Sequence, residues 1–285
     1  MAGGARLTRR GSGYRDGMTT VTTAETHGAA FFDVDRTLLA GASGLYLAAP
    51  LRKRGMLSSR QVARTMLGQL AFAARGQNHD QIDRATQVVS EIMRGWSQHE
   101  LMDVVEQELE ARVRPMVFEE AIERIAQHHA QGMPVYAVSA TMEEIILPLA
   151  ELLGLDGAVA TKMGVEDGVF TGEIESPCHG AEKAERLREF AQEQGIDLSA
   201  SVAYSDSITD AEFLKAVGRA YAVNPDRQLR ALADAEGWGI LRFATRVRVP
   251  LHRRRSVHAG ALTLATGVAV SMLRRRARGR RGAGV

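Results

Sequence analysis

Oxygen-bearing side chains follow three apolar runs of the chain, and each run has the pattern of a buried strand. They are Asp33, Asp35 and Thr37 after AAFF, Ser139 within MPVYAVSAT, and Asp206 and Asp210 after SVAYS. Carboxylates that meet at one place repel one another unless a cation lies between them. Because the set offers oxygen ligands and no cluster of His or Cys, it favours Mg²⁺, which proteins commonly share with a substrate phosphate. The pattern predicts phosphoryl chemistry, although each acid taken singly is also typical of a helix cap or turn.

A phosphoryl group also needs a positive partner, and two lysines are candidates. Lys183 lies in the first turn of a helix predicted over residues 180 to 194, from which an ammonium and backbone N–H groups can both reach an anion. Lys162 lies in a predicted β-hairpin and is the rival. We favour Lys183, because it falls between the second and third apolar runs and near a glycine that permits a close backbone approach.

Strand patterns alternate with helical patterns along most of the chain. An Asp167-Gly168 pair between two alternating runs marks the hairpin, and one of the helices is predicted to run from Pro115 to Gln131. Strands that alternate with helices predict an α/β protein with a parallel sheet and helices on both faces. Ligands of such sheets bind beyond the carboxyl ends of the strands, which is where the oxygen-bearing side chains fall.

One stretch departs from this alternation, because residues 44–111 carry helical patterns and few strand signals. Its apolar positions are Val62, Met66, Leu67, Leu70 and Phe72 in a first helix, Ile82, Val88, Val89, Ile92 and Met93 in a second, and Leu101, Val104, Val105 and Leu109 in a third. We therefore predict a core domain from residues 29–43 and 112–243 with this helical insertion. A disordered extension at 1–28 and a basic tail at 244–285 would flank it.

Four motifs in order resemble those of the haloacid dehalogenase-like hydrolase superfamily, and in particular of its phosphoserine phosphatase-like subfamily IB. They are DVDRT at 33–37, VSAT at 138–141, GAEK at 180–183 and YSDSITD at 204–210. The resemblance extends over about residues 29–243 and implies a three-layer Rossmann-like core. It also implies that the helical insertion is a C1-type cap, which closes over the substrate and excludes water.

The resemblance implies a role for each matched residue. Asp33 would be a nucleophile that forms an aspartyl-phosphate, and Asp35 would be the general acid and base. Thr37 would also orient its loop. The phosphate-binding residues would be Thr37, Ser139 and Lys183. Mg²⁺ would be held by Asp33, Asp206 and the carbonyl of Asp35, and Asp210 would support that shell through water or Lys183.

The implied function is Mg²⁺-dependent hydrolysis of a phosphomonoester of a small metabolite or lipid headgroup. Two alternatives stay open: a phosphotransferase in which an alcohol replaces water, and a catalytically idle binding module tethered to a membrane. The intact set of Asp33, Asp35, Lys183 and Asp206 speaks against the idle module, because an unused site is free to lose these residues.

Two departures from the subfamily pattern argue against phosphoserine as the substrate. Arg36 stands where Gly or Ser is usual, and LLAGASGLY lacks a Glu of the kind that would bind a substrate amine. We expect Arg36 to point away from its loop or toward the cap and substrate.

The charge of the chain is unevenly divided. The total is +2, yet residues 242–285 contain twelve arginines and no acidic residue, so the rest of the chain is acidic. Within this tail, residues 256–273 form an eighteen-residue stretch without formal charge apart from His258. As a helix it would be about 27 Å long, just under a hydrocarbon core of ~30 Å.

The tail therefore leaves several interpretations open. Residues 250–285 could attach to an anionic membrane surface, pack as a helix on the domain, or form a disordered basic tail that touches nucleic acid. Nucleic-acid binding is not expected, because the tail has no interleaved aromatic residues. A single cysteine, Cys178, suits a reducing compartment, and we expect a cytoplasmic protein.

Overall fold

The structure is a computed structural model that describes residues 27–58 and 79–247. The strands in these ranges are β1 Ala30–Phe32, β2 Val135–Met142, β3 Gly157–Glu166, β4 Val169–Ser176, β5 Val202–Ser205, β6 Arg219–Val223 and β7 Gly239–Leu241. They form one sheet in the order β4-β3-β2-β1-β5-β6-β7. Neighbouring strands are parallel except β3 and β4, which form the predicted hairpin.

Helices connect the strands. In the described ranges they are α1 Ser43–Lys53, α2 His79–Met93, α3 Gln98–Arg112, α4 Glu119–Ala130, α5 Glu143–Leu153, α6 Gly180–Gln194, α7 Ala211–Lys215 and α8 Arg227–Glu236. Short 3₁₀ turns cover Arg114–Met116, Leu198–Ala200 and Ile208–Asp210. Helix α6 has the bounds that its pattern predicts, and Gly195 ends it in the left-handed conformation, with φ 65°.

Strand β1 lies in the middle of the sheet and is buried on both faces. Ala30 and Phe32 pack into a hydrophobic cluster with side chains of α1, α3, α4 and α5. Ala29 and Phe31 pack into a second cluster with side chains of α6, α7 and α8. Because side chains alternate along a strand, a strand without polar positions needs helices on both sides. The predicted three-layer α/β architecture is therefore confirmed.

Helices α1, α2 and α3 belong to the predicted insertion between β1 and β2. Helix α3 packs against α1 and α5, and α2 packs along β4. The predicted apolar face of α3 is buried, namely Leu101, Val104, Val105 and Leu109. In α2, by contrast, Val89 is 40% exposed, and the neighbouring Ser90 is buried and donates to the Gly172 carbonyl. The prediction that Val89 shares the buried face was wrong, because residues adjacent in a helix point about 100° apart. The predicted helix with Val62 to Phe72 lies outside the described residues.

Backbone hydrogen bonds to the core domain extend beyond its predicted limits, residues 29 and 243, at both ends. The His27 carbonyl accepts from the Asp197 N–H at 3.2 Å, so the predicted disorder was wrong for His27 and Gly28. At the other end the Val247 N–H donates to the Val117 carbonyl at 3.0 Å. The remaining predictions for residues 1–26, the tail from 248 onward and the apolar segment 256–273 lie outside the described residues. Within residues 27–58 and 79–247, no helix is long and apolar enough to cross a membrane.

The helix predicted from Pro115 to Gln131 begins later, at Glu119. Pro115 lies in a 3₁₀ turn, and Val117 and Phe118 are extended. They pair with Leu39 and Arg246, respectively, in isolated bridges. These contacts with distant segments hold the backbone out of the helical conformation that its local sequence allows.

Candidate active site

The three predicted strand ends are neighbours in the sheet. Strand β1 pairs with β2 on one side and with β5 on the other, so Phe32 lies opposite Ala137 and Tyr204. Asp33 follows Phe32 directly, and its N–H donates to the Tyr204 carbonyl at 2.9 Å. Parallel strands bring their carboxyl ends to one edge, so this order gathers the three motifs there.

Lys183 joins two carboxylates at the centre of this edge. Its Nζ lies 2.7 Å from Asp33 Oδ1 and 2.6 Å from Asp210 Oδ2, and its side chain is 2% exposed. Ser205 also donates its hydroxyl to Asp210 Oδ2 at 2.6 Å. Asp210 thus holds the lysine against Asp33, which agrees with a supporting role exercised through Lys183. Lys162, the rival, is half-exposed and pairs with Glu175 instead.

Asp206 lies beside this group at the end of β5, and its side chain is 7% exposed. Arg36 Nε contacts Asp206 Oδ2 at 3.0 Å. The Arg36 side chain thus points toward the end of β5, and the expectation that it points away from its loop or toward the cap and substrate stays a prediction. Asp226 braces the loop after Asp206, because its carboxylate accepts the N–H of Ile208 at 3.0 Å.

Asp35 is held by the start of the helical insertion. Its Oδ1 accepts the Ser43 N–H at 2.7 Å, at the first residue of α1. The Ser43 hydroxyl in turn lies 3.1 Å from the Thr141 hydroxyl, just after the Ser139 position of β2. A single residue at the base of the insertion therefore connects the first and second motifs, and it orients the side chain predicted to act as acid and base.

The remaining predicted residues lie at the same edge with fewer polar contacts. Ser139 is 2% exposed and its Oγ accepts the Thr141 N–H at 3.1 Å, where the pairing of β2 with β3 becomes irregular. Thr37 is fully buried, and within the described residues its Oγ1 has no hydrogen-bond partner. The phosphate-binding roles of Thr37 and Ser139 stay predictions.

The carboxylates resist ionisation. Burial, opposed by Lys183 and reinforced by Asp210, raises the pKa of Asp33 to about 6. Burial also raises the pKa of Asp206 well above its ordinary value; Arg36 opposes this shift, while repulsion by Asp33 and Asp210 adds to it. The cluster is therefore short of positive charge, even with a lysine and an arginine in contact.

The pKa shift of Asp35 suits proton transfer, and that of Lys183 suits anion binding. Burial raises the pKa of Asp35, and the Ser43 N–H opposes the shift, so this carboxyl group holds a proton nearer to neutral pH than a solvated one. For Lys183, burial would lower the pKa, but Asp210 and Asp33 outweigh it and raise the pKa above its ordinary value. The ammonium therefore stays charged at physiological pH.

The donor set fits a hard divalent cation. Asp33 and Asp206 supply buried carboxylates at adjoining strand ends, and their raised pKa values report a demand for positive charge. In the described ranges, no three His, Cys, Asp or Glu side chains are placed to hold a metal ion by themselves. Two carboxylates are what Mg²⁺ typically takes from a protein, and waters and substrate phosphate oxygens complete its shell.

The pKa of Asp33 predicts a pH dependence of stability. In Mg²⁺-free protein, Asp33→Asn should gain stability relative to wild type as the pH rises from about 4 to about 6. The pKa of Asp33 is about 6 in the folded protein, whereas its ordinary value is 3.8. The wild type therefore loses stability as Asp33 gives up its proton, by at most about 3 kcal/mol. The asparagine of the variant does not titrate, so the variant does not lose this stability. Urea unfolding across this range measures the difference, with Asp167→Asn in the exposed hairpin turn as control. A flat or reversed difference would contradict the raised pKa.

The residues that position the predicted ones were not predicted from the sequence. Ser43, Ser205 and Asp226 each make one of the contacts described above. Asp226 had a local signal, because it also caps α8 by accepting the Leu229 N–H at 2.7 Å. Ser43 had no comparable signal, since its contact with Asp35 depends on how the insertion returns to the core.

Comparisons with known proteins find one matching family model and several similar proteins. A family model described as haloacid dehalogenase-like hydrolase matches residues 30–215. The "Inhibition of morphological differentiation protein" of Streptomyces azureus is 44% identical over 222 residues, which cover 78% of this chain and 80% of that protein. A "probable phosphatase" of Mycobacterium tuberculosis is 41% identical over 244 residues, with 86% and 84% covered.

One solved structure also resembles this one in fold. It is described as a phospho-aspartyl intermediate analogue of phosphoserine phosphatase and superposes with a TM-score of 0.55 at 21% identity. The match covers 78% of this chain and 95% of that chain. At this level of identity the likeness concerns the fold alone.

Proposed function

The chain belongs to the haloacid dehalogenase-like hydrolase family and is a phosphatase of that family, and from this premise we infer that it hydrolyses a small phosphomonoester through a phosphorylated Asp33. The single observation that carries the proposal is the contact of Asp33 with the buried ammonium of Lys183, at 2.7 Å. That contact lies at a strand end where a nucleophile and a phosphate-binding cation can meet one substrate group.

In the first step, Asp33 attacks phosphorus through one carboxylate oxygen, and the bond from phosphorus to the alcohol oxygen breaks. Asp35 gives its proton to the departing oxygen, which suits a carboxyl group with a raised pKa. Its hydrogen bond with the Ser43 N–H keeps the side chain oriented while the proton leaves.

In the second step, the ionised Asp35 takes a proton from water, and the water oxygen attacks the phosphorus of phosphorylated Asp33. Phosphate departs and the Asp33 carboxylate is regenerated, so one carboxyl group serves as acid and then as base. Dividing the reaction into two displacements avoids a direct attack of water on the substrate.

Lys183 and Ser139 would bind the phosphoryl oxygens, and Asp210 holds the lysine in place through its 2.6 Å contact. Mg²⁺ bound by Asp33, Asp206 and the Asp35 carbonyl would neutralise charge that builds up on the phosphoryl oxygens. Asp226 supports this arrangement by bracing the loop that carries Asp206.

The proposed substrate is a phosphomonoester of a small metabolite or lipid headgroup. The solved phosphatase of similar fold is described as a phosphoserine phosphatase. Arg36 and the absence of a nearby Glu speak against phosphoserine for this chain. A panel of phosphorylated metabolites that includes lysophospholipids would distinguish these substrate classes.

The two-step mechanism has a direct test in Asp35→Asn. With 4-nitrophenyl phosphate the leaving group departs without an acid, so phosphorylation of Asp33 should proceed while its hydrolysis lacks a base. We expect a burst of about one nitrophenolate per enzyme, a steady-state rate lowered roughly 10²- to 10⁴-fold, and one phosphoryl group on Asp33 by peptide mass spectrometry.

The control is the double variant Asp33→Asn/Asp35→Asn, which should give neither a burst nor an adduct. A phosphoryl group on any other residue, or an unchanged steady-state rate in Asp35→Asn, would sink the assignment of these two carboxylates.

A further inference from the structure

Arg36 covers a buried carboxylate from the solvent side. Its Nε lies 3.0 Å from Asp206 Oδ2, and the Arg36 side chain is 48% exposed whereas that of Asp206 is 7% exposed. When one partner of an ion pair is exposed to solvent, that partner can move away while the buried partner stays in place. The guanidinium can therefore leave while Asp206 stays where the strand end puts it.

The backbone of Arg36 supports a role for its side chain. Its φ is 68°, in the left-handed region that glycine adopts without strain and residues with a β-carbon rarely adopt. A glycine would make this turn at less cost. Strained positions of this kind cluster at functional sites, and the contact with Asp206 is one interaction that the Arg36 side chain makes.

The carboxylate that Arg36 contacts is also a proposed ligand of Mg²⁺. Asp206 is buried, and the Arg36 guanidinium in contact with its Oδ2 offsets the charge of the carboxylate. A metal ion held by Asp206 would offset the charge of the same carboxylate. The two cations therefore compete, because both need the same buried carboxylate.

We propose that Arg36 is a positioning residue that neutralises Asp206 in the Mg²⁺-free enzyme and releases it when Mg²⁺ binds. The inference rests on the Mg²⁺ of the proposed function. Arg36 then competes with Mg²⁺ for Asp206. This competition lowers the affinity for Mg²⁺, and it keeps the charge of Asp206 neutralised when no metal is bound.

The surface beside the pair has room for the released guanidinium. A cleft of about 260 Å³ is lined by Arg36, Ala40, Phe118, Asp206, Asn224 and Asp226. Asp226 offers a second carboxylate in this cleft, and its oxygens already accept the N–H groups of Ile208 and Leu229. Arg36 can thus leave Asp206 and remain near an acidic group.

Calorimetric titration with MgCl₂ tests the competition. Arg36→Gln keeps the β-carbon and the backbone strain but removes the charge, and we expect it to bind Mg²⁺ roughly three- to tenfold more tightly than wild type. Arg114→Gln is the matched control, because Arg114 is also 48% exposed and pairs with Glu110 on α3. Equal or weaker Mg²⁺ binding by Arg36→Gln would overturn the inference.

The displacement itself is visible by NMR. The Arg36 Nε–H resonance, identified by its loss in Arg36→Gln, should shift with the same midpoint as the calorimetric titration. The Arg112 Nε–H, which is bonded to Glu108, should stay unchanged. An unchanged Arg36 resonance would overturn the inference even if Arg36→Gln bound Mg²⁺ more tightly. The tighter binding would then come from the removal of a distant positive charge and not from the release of Asp206.

The failure of the inference is distinguishable from that of the proposed function. If Mg²⁺ binds wild type and Arg36→Gln equally, the proposed function stands and the competition is wrong. If Mg²⁺ does not bind wild type, the metal of the proposed function and this inference are both wrong.

Discussion

Replacing Asp33 by Asn should lower kcat for 4-nitrophenyl phosphate by roughly 10³- to 10⁶-fold, the largest effect that we expect of any single substitution. The amide has nearly the shape of the carboxylate but cannot attack phosphorus. Stopped and continuous phosphate-release assays at saturating Mg²⁺ measure the loss. Because catalysis through phosphorylated Asp33 needs this one oxygen, no neighbouring carboxylate should restore the rate.

The folded state of the variant is open to an independent check. Asp33→Asn should be at least as stable as wild type near neutral pH without Mg²⁺, since the buried carboxylate with a pKa of about 6 is removed. A low rate in a protein of normal stability then reports lost chemistry and not lost structure. If the variant kept more than about a tenth of the wild-type kcat, Asp33 would not be the nucleophile.

Replacing Lys183 by Met should damage stability and catalysis together. Lys183 is 2% exposed and lies against Asp33, Asp210 and the Phe213 ring, the last at 4.9 Å from the centroid. Without it two buried carboxylates lose their shared cation, which typically costs about 3–5 kcal/mol. At roughly 2–4 °C per kcal/mol, the melting temperature should fall by about 10 °C in Mg²⁺-free buffer. The lost contact with the phosphoryl oxygens should lower kcat roughly 10²- to 10³-fold.

A double variant separates the two effects. Lys183→Met/Asp210→Asn removes a carboxylate together with the lysine, so it should regain part of the melting temperature while kcat stays low. Lys162→Met is the matched control, because Lys162 is half-exposed and pairs with Glu175 at the hairpin. Near-wild-type kcat in Lys183→Met, or a comparable loss in Lys162→Met, would return the phosphate-binding role to the rival lysine.

The sequence by itself determined the architecture and the edge at which the candidate site lies. The period of apolar residues predicts strands and helices, and the Asp167-Gly168 turn follows from the positive φ that both residues adopt, 50° and 77°. The carboxyl ends of parallel strands meet at one edge whatever the side chains are, so the positions of Asp33, Ser139 and Asp206 along the chain were enough to bring them together.

Only the tertiary structure decided which of these groups touch. Asp33 and Lys183 are 150 residues apart in the chain. No local sequence pattern shows that Lys183 lies between the carboxylates of Asp33 and Asp210. The direction of Arg36 likewise depends on a left-handed backbone and on a carboxylate from another strand. Periodicity encodes which face of an element is buried, but a loop side chain takes its direction from the charges around it. Those charges come from distant segments, so their effect exists only once the chain has folded.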